Sequence, residues 1–234
     1  MASLRNSAIG LPALIVLSLA LTAPARADFV VANSVSDFSG TQGQNGWHYG
    51  YLVSPFTSAT FTPMTQFLPS IFGPGNAWYA DQNNYWTALT DVGAHPNGMV
   101  TSGGRLPVEE WADRRWVSTV DGPVTLTGNI AKINTNPGGN GVEGHIFVDG
   151  VEVYSQFVSA TDSTGFNYTI NATIHVGSAI DFALDPFDSN DLADYSRFTA
   201  VVTSTAIPEP SSLTLLGMGI LSLVGYGWWR GRAV

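Results

Sequence analysis

His145-Ile146-Phe147-Val148-Asp149-Gly150-Val151-Glu152-Val153-Tyr154 sets two runs of β-branched and aromatic residues on either side of an Asp-Gly pair. Asp-Gly accepts the positive φ of a tight two-residue turn, so the stretch predicts a β-hairpin. Working outward, Val124–Ile130 alternates with period two, as does Asn167–Val176 over ten positions. Ala179–Leu184 and Ser196–Thr203 complete the set as the last strands. No stretch between the two chain ends shows helical periodicity with proper caps. Many short strands at intervals of about ten residues predict an all-β fold, a two-sheet jelly-roll sandwich spanning 28–206.

The region Pro55–Gly104 is rich in Pro, Gly, Asn and aromatics, and predicts long connections at one end of the sandwich. One strand pair is expected there, around Trp78-Tyr79-Ala80 and Tyr85–Leu89. Trp78, Tyr79, Tyr85, Trp86 and Trp111 are interleaved with or lie near Asp81, Gln82, Asn83 and Asn84. Aromatic faces stack on pyranose rings and these polar groups can bond hydroxyls, so Trp78, Tyr79, Asp81, Asn83, Tyr85, Trp86 and Trp111 form a candidate sugar-binding set. The competing reading is that the aromatics anchor long loops. Trp47, Tyr49 and Tyr51 share one side of a strand, either as core, which is favoured, or as a sugar platform.

Both chain ends carry signals. Arg5, the apolar run Ala8–Thr22 and Ala25-Arg26-Ala27 predict a signal peptide over 1–27, cut before Asp28 by signal peptidase; a permanent anchor is the alternative. At the other end, Pro208-Glu209-Pro210 precedes an uncharged apolar segment, Leu213–Trp229, at the short end of what spans a bilayer. Arg230 and Arg232 follow it and mark a cytoplasmic side. This order over 207–234 resembles the PEP-CTERM sorting segment of bacterial proteins, with Pro208, Glu209, Pro210, Arg230 and Arg232 as the sorting signal. The resemblance implies recognition and cleavage by an exosortase, a membrane-embedded cysteine transpeptidase-like enzyme. The expected route is export across the cytoplasmic membrane, transient anchoring by a C-terminal transmembrane helix, then the cell surface or extracellular matrix of a Gram-negative bacterium.

Between the ends, five cationic residues (Arg105, Arg114, Arg115, Lys132 and Arg197) face 17 Asp and Glu, a net charge of −12. Such a domain is a poor partner for nucleic acid or anionic lipid. The absence of cysteine excludes thiol catalysis and Cys-ligated zinc. Asp185, Asp188, Asn190, Asp191 and Asp194 form an oxygen-rich run, read either as a structural calcium site or as a solvated acidic loop. Asp37 would add a carboxylate if the domain's ends meet.

His48, His95, His145 and His175 are scattered, with His95 in the loop region the one to watch. Glu109-Glu110 would point to opposite faces of a strand, with Arg114-Arg115 as ion-pair partners. No hydrolase or phosphate-binding motif is present, so no catalytic residue and no enzyme activity is expected.

Asp37–Tyr51, Arg115-Trp116-Val117-Ser118, Asp121–Val124 and the 147–154 hairpin together resemble a jelly-roll module of exported bacterial proteins. That resemblance implies a sandwich similar to carbohydrate-binding modules. Three functions follow, in order: a module binding extracellular polysaccharide of a biofilm matrix, a structural matrix protein without a small ligand, and a small glycan-active enzyme.

Overall fold

In the computed structural model, Asp149 (φ 49°) and Gly150 (φ 82°) both adopt the left-handed conformation that a tight hairpin turn requires. They join strands paired Val148↔Val151, as the Asp-Gly signal predicts. The structure describes residues 27–100 and 105–206, together with 216, 217, 219–223 and 228. The signal peptide expected over 1–27 (Ala27 apart) and the sorting residues Pro208, Glu209, Pro210, Arg230 and Arg232 lie outside the described residues.

Residues 27–206 form one unit and the chain ends form another. The described residues of the former hold fourteen strands: β1 (Ala27–Asn33), β2 (Trp47–Leu52), β3 (Phe61–Pro63), β4 (Gln66–Pro69), β5 (Asn76–Asp81), β6 (Asn84–Leu89), β7 (Gly93–His95), β8 (Trp111–Val117), β9 (Gly122–Lys132), β10 (Val142–Val148), β11 (Val151–Val158), β12 (Phe166–Ile174), β13 (Ala179–Asp185) and β14 (Ser196–Ala206). One sheet runs β12-β9-β14-β7-β6-β5-β4, with β1 also on β14; the other runs β11-β10-β13-β8-β2-β3. All pairings are antiparallel. This is the two-sheet sandwich expected from the sequence. In the other unit, the described residues 216–217, 219–223 and 228 are helical, and no helix of the described residues is long and apolar enough to cross a membrane.

The inner faces meet in a core that includes Trp47, Tyr49, Trp116, Leu126, Ile146, Phe182 and Phe198. Trp47 and Tyr49 are sealed inside it and Tyr51 packs against it, so the stripe belongs to the core. Strand β14 is the hub. Along one edge it bonds β9 from Ser196 to Ser204; along the other it meets β7 first and then β1, with Ala27 opposite Ala206. Ser34 bridges the gap between these two partners, its Oγ accepting from Ala200 N (2.8 Å) and its N–H donating to Ala200 O (2.8 Å).

Residues 55–100 depart from expectation. Besides the anticipated β5–β6 pair they contribute β3, β4 and β7, and β4–β7 extend the larger sheet. Three of these strands span only three or four residues, and the β5–β6 register slips between Tyr79 and Asp81. Period-two alternation cannot develop over such lengths.

Arg114 is the one charged side chain of β8 that points inward. Strand alternation puts it beside Ala112 and Trp116, and it crosses the core to the β6–β7 turn. There it donates to the carbonyls of Thr90 (3.2 Å), Asp91 (3.1 Å) and Gly93 (2.9 Å). Desolvation lowers its pKa, countered by the nearby Tyr49, Tyr168 and Tyr195. The expected pairing of Glu109-Glu110 with Arg114-Arg115 is therefore overturned. Glu110 instead accepts from Asn84 Nδ2 (2.7 Å) and Thr87 Oγ1, while Glu109 accepts from Trp111 Nε1 (3.1 Å) and Ser189 Oγ. Arg115 pairs with Asp181 (2.5 Å). The inward position of Arg114 and the carbonyl cage waiting for it outcompete a surface ion pair.

Candidate functional site

A cleft of about 360 Å³ opens at the end of the larger sheet where β14 begins. Its walls come from separated stretches: Ile71 and Phe72 before β5, Trp86 on β6, His95 on β7, Arg105, Asn134 and Asn136 after β9, and Leu192, Ala193 and Tyr195 before β14. Phe72 is carried on a short loop closed by Ser70 N donating to Gly75 O (2.9 Å). The loop passes through Gly73-Pro74-Gly75, with Gly75 at φ 94°. Phe72 stacks on His95 (centroids 4.9 Å apart) and on Tyr195 (4.7 Å), and meets Trp86 edge-on (6.2 Å). The result is an aromatic wall with polar amides on the rim.

The electrostatics are local and compensated. The Arg105 guanidinium lies 3.8 Å over the Trp86 ring and pairs with the buried Asp191 at 2.7 Å. His95 is buried and its Nδ1 has no hydrogen-bond partner among the described residues. Burial, aided by the Arg105 charge, pushes its pKa down to about 3, so the imidazole in the cleft is neutral. Lys132 and Asp194 form a fully buried pair (2.8 Å), in which burial pushes Asp194 up to about 7 against the pull of Lys132. Among the described residues, none of those lining the cleft is Asp or Glu.

Of the aromatics proposed from sequence, the structure brings only Trp86 into this cleft. Trp78 is in the core, stacked on Tyr49 (5.7 Å), its Nε1 donating to Ser39 O (2.8 Å). Tyr79 is fully buried on the outer face of the same sheet, its hydroxyl donating to Pro69 O (3.2 Å). Tyr85 packs edge-on against Tyr79 and stays partly exposed. Asp81 caps the β5–β6 turn by accepting from Asn83 N (2.6 Å) and Asn84 N (3.0 Å), leaving Asn83 exposed. Trp111 sits on the outer face of the other sheet, between Phe56 and His145 (4.6 Å to each). A run of neighbours in sequence is dealt to both faces of one sheet, because pleating alternates them.

The acidic run likewise does not converge. Asp191 goes to Arg105, Asp194 to Lys132, and Asp185 faces His145 at 3.6 Å. Asn190 Oδ1 accepts from Leu192 N (3.2 Å), and Asp188 stays exposed. Left-handed residues at Asp188, Ser189 and Ala193 turn the chain repeatedly, so equal spacing does not become a shared face. Asp37 is engaged locally, accepting from Asn33 N (2.7 Å) and Trp47 Nε1 (3.4 Å). Phe72 and Tyr195, the two residues that build the aromatic wall with His95, carry no sequence signal beyond the Gly73-Pro74-Gly75 turn beside the first.

No curated protein matches the chain. Among solved structures, a CBM51 from a Clostridium perfringens GH95 protein in complex with methyl-galactose is similar at 9% identity and a TM-score of 0.32, over 60% of this chain and 80% of that one. A CBM36 domain of a xylanase from the Trinervitermes trinervoides hindgut metagenome is similar at 14% identity and 0.32, over 77% and 99%. The tandem CBM51 modules of a family 98 glycoside hydrolase from Streptococcus pneumoniae match at 12% and 0.35, over 79% and 49%. All three TM-scores are below 0.5. Residues 206–232 match the family described as the PEP-CTERM protein-sorting motif. The chain therefore ends in a PEP-CTERM sorting motif, which marks it as an exported, membrane-processed protein and a substrate for exosortase.

Proposed function

We propose that the sandwich is a non-catalytic module that binds a neutral polysaccharide in the cleft walled by Phe72, Trp86, His95 and Tyr195. The observation that carries this reading is the cleft itself: rings, a neutral imidazole and the Asn134 and Asn136 amides around a volume in the range of small-ligand sites. Neutral ligands are favoured because four of the domain's five cations are already engaged: Arg105 with Asp191, Arg115 with Asp181, Lys132 with Asp194, and Arg114 with backbone carbonyls. An acid-lined cleft, which glycoside hydrolysis needs, is missing from the lining. In this reading signal peptidase frees the N-terminus, the C-terminal segment spans the membrane until exosortase acts, and the product joins the exopolysaccharide or biofilm matrix of a Gram-negative bacterium.

One observation favours a matrix protein without a small ligand: Arg105 already covers one face of Trp86. A glycan array probed with residues 28–206 separates the two readings. Phe72→Ala and Trp86→Ala are each expected to weaken binding on the order of tenfold, which corresponds to about 1.4 kcal/mol. Binding unchanged in both variants would remove the cleft from the site. A folded domain silent on every glycan would leave the matrix reading. Trp78→Ala is unsuitable as a probe, since it opens the core at a cost of about 3–5 kcal/mol.

A further inference from the structure

On the outer face of the smaller sheet, away from the residues of the cleft, Glu143 and Asp185 stand directly opposite one another across β10 and β13. His145, two residues along β10, shares their face. Like charges facing across a ladder repel, so this pair asks for a cation. A register slip between Ile146 and Phe147 places Glu152 of β11 opposite Phe147, also on the His145 side.

The imidazole is oriented from two directions. Its Nδ1 meets Glu152 Oε1 at 2.7 Å. Its plane is stacked on Trp111, which in turn stacks on Phe56. Ala183, paired with His145 on the intervening strand, leaves room for the two rings to meet. His145 is only 9% exposed, and its Nε2 is buried with no hydrogen-bond partner among the described residues. That nitrogen points at Asp185, with 3.6 Å between Nε2 and Oδ2.

A gap of 3.6 Å is too long for a hydrogen bond. It is close to the roughly 3.4 Å that separates two ligand atoms on one tetrahedral metal with bonds of about 2.0–2.1 Å. One donor atom each from Glu143, His145 and Asp185 lie within 4.8 Å of one another, so a small rotation of the partly exposed Glu143 completes three ligands. An imidazole that gives its second nitrogen to a carboxylate is the usual outer arrangement of a metal-bound histidine. We propose that Glu143, His145 and Asp185 bind a divalent ion of the zinc class, with Glu152 orienting the imidazole and water filling the remaining position. The nitrogen ligand and the low ligand number select a borderline ion over calcium, which takes six to eight oxygens.

The test uses the full chain in mild detergent, purified without a histidine tag, and titrated calorimetrically with Zn²⁺ alone or Ca²⁺ alone. One equivalent of Zn²⁺ is expected, with a rise in Tm of about 4 °C or more at saturation. Glu143→Gln and Asp185→Asn are each expected to weaken Zn²⁺ at least about tenfold, the size of loss seen when a metal site is disturbed. His175→Asn, at an exposed histidine near Asp121, is expected to leave binding unchanged. Both site variants change partly exposed side chains, and the ¹⁵N shift of His145 Nε2 on Zn²⁺ addition reads the wild-type protein directly. Failure to take up Zn²⁺, equal uptake by Asp185→Asn, or saturation by Ca²⁺ in its place would overturn the assignment. The first of these would leave His145 held by Glu152 and the Trp111 ring without a metal.

Discussion

With Phe72 stacked on its ring and Trp86 tilted against it, His95 has no room for the water that an imidazolium needs. Its proton affinity is therefore coupled to folding. The unfolded chain takes up a proton near pH 6.5, whereas the native state resists until about pH 3. As pH falls through that window the unfolded state gains a proton that the folded state refuses, so stability is lost. His95→Phe keeps a ring in the stack and removes the proton. Between pH 7 and 3 the wild type is expected to lose roughly 4 kcal/mol relative to this variant, read from urea midpoints at each pH. Parallel curves would mean that the native imidazole charges freely. Raised carboxylates such as Asp194 tilt stability the other way, since their contribution is present at low pH and lost as pH rises toward about 7. They are common to both proteins and drop out of the difference.

At the scale of elements, two glycines separate conformational from steric demand. Gly150 needs its positive φ of 82° for the hairpin turn, but a Cβ there would meet only Ser58 at an ordinary 3.9 Å, so Gly150→Ala is expected to cost about 1 kcal/mol. A Cβ at Gly128 on β9 would collide with the Thr199 carbonyl and the Tyr168 hydroxyl, so Gly128→Ala is expected to cost several-fold more in the same urea titration. Equal costs would show that β9 can move away from β14. The elements legible in the sequence are those with enough length to alternate, β9, the β10–β11 hairpin, β12, β13 and β14, together with the aromatic-rich β5–β6 pair. The short strands β3, β4 and β7 were not, because three or four residues cannot display a period and their pairing is decided by distant partners. The cleft was legible only at Trp86 and His95. Phe72 and Tyr195 are more than a hundred positions apart, and only the closure of β7 against β14 makes them neighbours.

For the whole molecule, the arrangement of charge matters more than its sum. Of the five cations set against 17 acids in residues 28–206, Arg197 alone is well exposed, and the other four are held in ion pairs or by backbone carbonyls. Among the described residues of this domain, the exposed charge is therefore almost all anionic. Glycan binding at an aromatic cleft whose one cation, Arg105, is already paired with Asp191 should then change less than about twofold between 0.05 and 0.5 M NaCl, since counterion release makes no contribution. A steep salt dependence would instead point to a charged ligand.

Strand β14 begins one residue after Tyr195 and ends at Ala206, where the matched sorting motif starts. Its 11 residues span about 36 Å. Tension between a glycan held in the cleft and a tethered C-terminus would therefore run lengthwise along this strand. Its hydrogen bonds to β9, β7 and β1 lie crosswise to that pull and would share it in shear, with no end from which to unzip them singly. In the proposed reading, β14 would join ligand to tether and carry that load in shear.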